Sequence, residues 1–282
     1  MRSFTAELVA DTGCGLGESP FWDPGTASTG WLDIDTSTLL RLSDRMEVHF
    51  SLLPNESTFV AAAEDGGLVA AHPLGIDHIG ADGVERRLVT GWIDATVERT
   101  NDGAVDQKGR IWVGSTRRDR RVGSGAIGVV SSGRWEERFS GLTLPNGIAW
   151  SPGGERIYYV DTLAGTLWQA AFDMESATVG ASDPLFEMPT SDGLIDGICV
   201  DVTGGIWVAV WGGSAVLRLD PEGRIAGSVS VAAPKVTSCA FADTILYITS
   251  ADPDGTDPPG SGGLFAVDVG IEGVPVAPAR LF

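Results

Sequence analysis

Four polar residues of this chain stand at one place in a repeating unit, and their types are those that bind a metal ion or hydrogen-bond a substrate. The segments are Gly17-Glu18-Ser19-Pro20-Phe21-Trp22-Asp23, Thr100-Asn101-Asp102-Gly103-Ala104-Val105-Asp106, Pro145-Asn146-Gly147-Ile148-Ala149-Trp150-Ser151 and Ile195-Asp196-Gly197-Ile198-Cys199-Val200-Asp201. Superposed, they bring Glu18, Asn101, Asn146 and Asp196 into one slot. Carboxylates and amide oxygens converging on one cavity form a hard-oxygen site suited to a single divalent cation: calcium, magnesium or manganese, with iron or zinc compatible. Without a cation, Glu18 and Asp196 repel each other at close range and one tends to stay protonated. Asn146-Gly147, Asp102-Gly103 and Asp196-Gly197 are also common turn pairs. Turn chemistry, however, requires neither Glu18 nor a shared register.

Such a slot needs elements that repeat around an axis. Apolar, β-branched or aromatic runs begin at residues 30, 67, 110, 156, 205 and 244, spaced 37 to 49 residues apart. Most are followed by another strand-like run, such as 165–170, 215–219 and 263–267. Short strands separated by turn residues at this period predict a propeller of four-stranded blades. The expected fold is therefore all-β, a six-bladed β-propeller with antiparallel blades around a central channel, filling residues 1–282 as one domain. Pairing of residues 4–9 with the last strand is expected to close the ring and leave no open edge. The slot falls at the end of each innermost strand, beside the channel. Two copies break the polar pattern, with Phe59 or Val60 in the second and Thr237 in the sixth.

Composition narrows the partners. A net charge of −19 disfavours nucleic acid, whose phosphates reward basic surfaces. No apolar run approaches the roughly 18 residues of a membrane span, and no leader pattern opens the chain, so a cytoplasmic protein without a membrane partner is expected. Cys14, Cys199 and Cys239 are an odd number at unrelated spacings, and the latter two, at matching places in neighbouring innermost strands, read as buried, reduced thiols. His49, His72 and His78 avoid the slot. Gly123-Ser124-Gly125-Ala126-Ile127-Gly128 has the string of a dinucleotide fingerprint but precedes a strand. Asp252-Pro253-Asp254-Gly255-Thr256-Asp257 reads as a solvated loop, and no Gly-x-Ser-x-Gly elbow occurs. Metal-assisted chemistry on a small molecule is the reading that survives.

Leu16-Gly17-Glu18-Ser19-Pro20, Arg99-Thr100-Asn101-Asp102-Gly103, Pro145-Asn146-Gly147 and Asp196-Gly197, in this order, resemble the SMP-30/gluconolactonase/LRE family, which includes regucalcin and bacterial sugar lactonases. Val208-Ala209-Val210-Trp211-Gly212-Gly213 with Val216-Leu217-Arg218 is similar to its bacterial aldonolactonases. The resemblance covers essentially the whole chain. It implies one divalent cation held by Glu18, Asn146 and Asp196, with Arg99 and Asn101 on the substrate's oxygens. It places a further substrate-contacting acid at Asp119, although Arg117-Arg118-Asp119-Arg120-Arg121 departs from the family's acidic loop. Ile195 stands where many relatives have proline.

The implied reaction is metal-dependent hydrolysis of a sugar lactone, an aldono-1,4- or 1,5-lactone, to the aldonic acid. Asp196 is the candidate general base, in competition with activation of water by the cation itself. A monomer or weak homo-oligomer is expected. Another ester or an organophosphate is an alternative substrate, and non-catalytic cation binding an alternative role. Arg99 weighs against the latter, since a pure cation binder needs no guanidinium beside its site.

Overall fold

A computed structural model describes residues 2–53 and 56–282. Within them the only helical turn is Thr190–Asp192, and the rest is strand and loop. The six apolar runs form Ser28–Asp33, Leu68–His72, Ile111–Arg117, Arg156–Asp161, Ile206–Trp211 and Ile245–Ala251. These strands are apolar on both faces, as in Ile206-Trp207-Val208-Ala209-Val210, because sheets pack on each side of them. Outer strands such as Thr178–Glu187 are largely exposed and correspondingly polar.

The fold is an all-β propeller, but the expectation of six separate four-stranded blades is corrected. Four separate four-stranded sheets are present, together with one nine-stranded sheet. The fusion occurs where Trp211 pairs with Lys235, joining Ile206–Trp211 to Lys235–Ala242. Gly212 and Ser214 reinforce it by donating backbone hydrogen bonds to the Pro234 carbonyl, at 2.9 and 3.3 Å. Chain closure lies in this same sheet. Glu7–Ala10 pairs antiparallel with the last strand, Leu264–Asp268, as expected. Arg2–Thr5 instead runs parallel to Ile225–Ser230.

Gly17–Asp23, Phe59–Ala62, Glu98–Val105, Pro145–Trp150, Leu194–Val200 and Lys235–Ala242 are successive neighbours in a ring. Side chains stitch most of its joints. Val60 N donates to Ser19 Oγ (3.0 Å), Thr58 Oγ1 to Thr100 Oγ1 (2.7 Å), Asn101 Nδ2 to the Pro145 carbonyl (2.8 Å) and Thr237 Oγ1 to the Gly17 carbonyl (2.5 Å). Thr237 is thereby a joint of the ring.

A second device recurs just after two of the innermost strands. Asp106 accepts from Trp112 Nε1 (3.0 Å) and Arg110 Nε (2.6 Å), and Asp201 from Trp207 Nε1 (2.9 Å) and Arg218 Nε (2.8 Å). Burial alone would raise the Asp201 carboxyl, but hydrogen bonds from Thr203, Gly205, Trp207 and Arg218 hold it below its ordinary value. A group depressed in this way stabilises the fold above its unfolded value, about pH 4, and loses that contribution as pH falls. Asp201→Ala leaves the Trp207 and Arg218 donors without their acceptor. It is expected to cost about 3–5 kcal/mol in urea unfolding at neutral pH. A loss under about 1 kcal/mol would show that the aspartate is dispensable to the blade.

Candidate functional site

The polar slot lies where each innermost strand bulges. Pairing shifts register between Glu18 and Phe21, Thr100 and Gly103, Asn146 and Ile148, and Ile195 and Ile198. A bulge breaks the alternation of a strand, so adjacent residues can serve the same side. The glycines after the polar residues are thus bulge residues, where the sequence suggested turns. A Cβ on Gly147 would lie 2.7 Å from the Asp196 carbonyl oxygen, and one on Gly103 2.7 Å from the Phe59 ring. Both distances are below real Cβ contacts, so glycine is what lets neighbouring strands approach at the slot.

Glu18, Asn146 and Asp196 are buried. Asn146 Nδ2 donates to Asp196 Oδ1 and, at 3.2 Å, to Thr162 Oγ1. Ser19 N donates to Glu18 Oε2 at 3.1 Å. Burial drives the Glu18 carboxyl well above its ordinary value, helped by the charges of Asp196 and Asp102. Asp196 is driven up by burial and then by Asp102, against the opposing pull of Asn146 and Arg99. Asp102 joins this group although sequence reasoning had read it only as a turn residue. Its carboxyl is raised by burial to about 7, against a 2.7 Å hydrogen bond from Gly103 N. The signal was its place beside Asn101; strict alternation would send the two to opposite sides.

Arg99 is half-buried, donates through Nη1 to the Thr100 carbonyl at 3.2 Å, and feels the charge of Glu18. Asn101 is half-buried; its amide nitrogen is engaged by Pro145, which leaves its oxygen as acceptor. Asp119 stands apart, exposed in the loop after Ile111–Arg117 with both carboxylate oxygens held by Arg117 at 3.0 and 3.1 Å. Phe59 and Val60 are buried and apolar. Of the histidines, His72 and His78 bond Asp77 and Asp65 at 3.0 and 3.1 Å, while His49 is exposed. Cys199 and Cys239 are free thiols 3.5 Å apart. Two surface cavities, of about 430 and 580 Å³, lie elsewhere, against Arg2, Trp207 and Arg218 and against Asp65, His78 and Arg86.

Among the described residues no group of three or more His, Cys, Asp or Glu side chains is placed to hold a metal ion by itself. The candidate ligand set therefore relies on the Asn146 amide beside Glu18 and Asp196. Its chemistry fits a hard divalent cation: buried oxygen donors, with the Asp196 charge adding to burial in raising Glu18 and one guanidinium nearby. Among the described residues no helix is long and apolar enough to cross a membrane.

Residues 16–252 match the SMP-30/Gluconolactonase/LRE-like region. The chain belongs to this family. Its relatives there include a pentonolactonase of Haloferax volcanii, 33% identical, the match covering 96% of this chain and 97% of that one. Bovine regucalcin is 29% identical over 99% of each chain. Among solved structures, a calcium-binding regucalcin from Agrobacterium tumefaciens matches with a TM-score of 0.91 and 28% identity, covering 99% of this chain and 98% of that one. These SMP-30/gluconolactonase/LRE-like proteins match along nearly their whole length, so the residues of the slot fall inside the shared region.

Proposed function

We propose that this protein is a divalent-cation-dependent sugar lactonase, opening an aldonolactone to its hydroxy acid. The observation that carries the reading is the cluster of Glu18, Asp102 and Asp196 with Arg99 beside it, in a chain similar over its length to a pentonolactonase. Glu18, Asn146 and Asp196 would hold the cation. A cation bound there supplies Lewis acidity, polarising the lactone carbonyl and countering the charge that develops on its oxygen.

The chain's own groups do the rest. Arg99 offers a planar fork of donors to the sugar oxygens, and Asn101 Oδ1 accepts from a hydroxyl. Asp196 takes a proton from water as the water oxygen bonds to the carbonyl carbon. The bond from that carbon to the ring oxygen then breaks, and the proton passes to the departing oxygen, so that lactone and water give the hydroxy acid. Asp102, with a carboxyl near 7, is poised to share that proton. We assign the activity to the chain as a single cytoplasmic unit, monomeric or weakly associating.

The direct test is proton release over a panel of sugar lactones, comparing the wild type with Arg99→Ala. The variant is expected to lose at least tenfold in kcat/KM, about 1.4 kcal/mol, while its cation affinity in calorimetry stays unchanged. Wild-type kinetics in Arg99→Ala on every lactone opened would remove Arg99 from the substrate site.

A further inference from the structure

The loop between Ile111–Arg117 and Gly125–Ser131 carries Arg117, Arg118, Arg120 and Arg121 in a chain whose net charge is −19. Strand pairing ties it to the site: Arg99 pairs with Thr116 and Glu98 with Arg117, and Arg118 N donates to the Val97 carbonyl at 2.9 Å. The four arginines are not equivalent. Arg117 is occupied by Asp119. Arg118 is held by Glu56 at 2.7 Å and leans on the Ala95 carbonyl at 3.4 Å. Arg121 lies within the electrostatic reach of Asp119.

Arg120 differs from all three. It is exposed and, among the described residues, forms no ion pair and no side-chain hydrogen bond. Its backbone is fixed at φ 52° by the turn that its N–H closes on the Arg117 carbonyl. Its charge nevertheless reaches the site. The Arg99 guanidinium is lowered first by burial and then by the positive charges of Arg120 and Arg118. Arg120 thus adds a positive field that no acidic partner among the described residues cancels, in an otherwise acidic protein. Such a field attracts an anion that the rest of the surface repels.

We infer that Arg120, with Arg99 and Arg118 behind it, receives an anionic substituent of the substrate, so that the preferred lactones are acidic ones bearing a carboxylate or a phosphate away from the reacting carbonyl. This rests on the lactonase reading of the same site. The carbonyl would lie toward Glu18, Asn146 and Asp196, and the distal anion toward the arginine loop. Guanidinium suits both anions, since its paired donors match carboxylate and phosphate oxygens alike.

The test compares glucono-δ-lactone, which is neutral, with glucarolactone, which adds a carboxylate, and phosphogluconolactone, which adds a phosphate. The wild type is expected to favour at least one acidic lactone by about tenfold or more in kcat/KM, the preference shrinking as salt rises. Arg120→Asn preserves a residue type that tolerates positive φ, and should lower the acidic-to-neutral ratio by about tenfold, with Arg120→Lys recovering part of it. A loop defect alone would change all substrates together and leave the ratio intact. Whichever acidic lactone leads identifies carboxylate or phosphate as the natural group.

A binding measurement separates this inference from the lactonase reading. Calorimetry of glucarate against gluconate, on wild type and Arg120→Asn, reads the anion site without turnover. If no lactone is opened yet glucarate binds more tightly in an Arg120-dependent way, the anion site stands and the hydrolase reading falls. If neutral lactones are opened as well as acidic ones, or the ratio is untouched in Arg120→Asn, the inference is overturned while the lactonase reading stands.

Discussion

Asp196→Asn is expected to lower kcat on every lactone that the wild type opens by at least about a thousandfold, within the range for loss of a positioned acid–base group. The substitution keeps the shape of the side chain, so the packing beside Asn146 and Thr162 is retained. It removes a charge that would both hold the cation and accept water's proton. It should also raise the melting temperature of the chelated protein, because burial and Asp102 disfavour a charged Asp196 in the folded state. Loss of activity together with gain of stability is the signature of a site held against its own electrostatics. A damaged fold would lose both. Retention of more than about a tenth of wild-type kcat would remove Asp196 from the chemistry, since that corresponds to less than about 1.4 kcal/mol of barrier.

The strands were legible because apolar runs and their spacing report directly on which segments are buried between sheets. The number of separate sheets was not. It depends on main-chain pairing of Trp211 with Lys235, and no side-chain pattern announces a hydrogen bond between two backbones. The slot itself was visible as a shared register, yet its glycines were read as turn formers when they permit close approach of neighbouring strands. Asp102 was overlooked for a related reason. A period of two admits one of Asn101 and Asp102 to the channel side, and the bulge between Thr100 and Gly103 lifts that restriction. Asp119 was placed on the substrate by the family resemblance alone, and its carboxylate bonds Arg117 two residues earlier, a local pairing that the spacing of the two charges already allowed.

Chelation should make the protein less stable as pH rises, which is the second large effect expected. Glu18, Asp102 and Asp196 all have carboxyls raised in the folded state, with Asp102 near 7. Carboxyls raised above their unfolded values, about 4, favour the fold most below that pH and lose this contribution as pH climbs through the folded values. In EDTA the melting temperature should therefore fall between pH 5 and pH 8 (roughly the span between the unfolded values and complete ionisation). Below that window Asp201 and other depressed carboxyls begin to act in the opposite sense. A bound divalent cation favours the ionised carboxylates and should flatten the slope. At a hundred times its dissociation constant it contributes about 2.7 kcal/mol, worth on the order of 5 °C or more in a chain of this size. Its gain should be larger at pH 8 than at pH 5.5, values chosen to lie on either side of the roughly neutral Asp102 transition. Scanning fluorimetry across that range, with each of calcium, magnesium, manganese, iron and zinc, ranks the cations by the same readout. Melting temperatures indifferent to both pH and every cation would mean that these carboxylates neither strain the fold nor hold a metal, and the proposed chemistry would lose its centre.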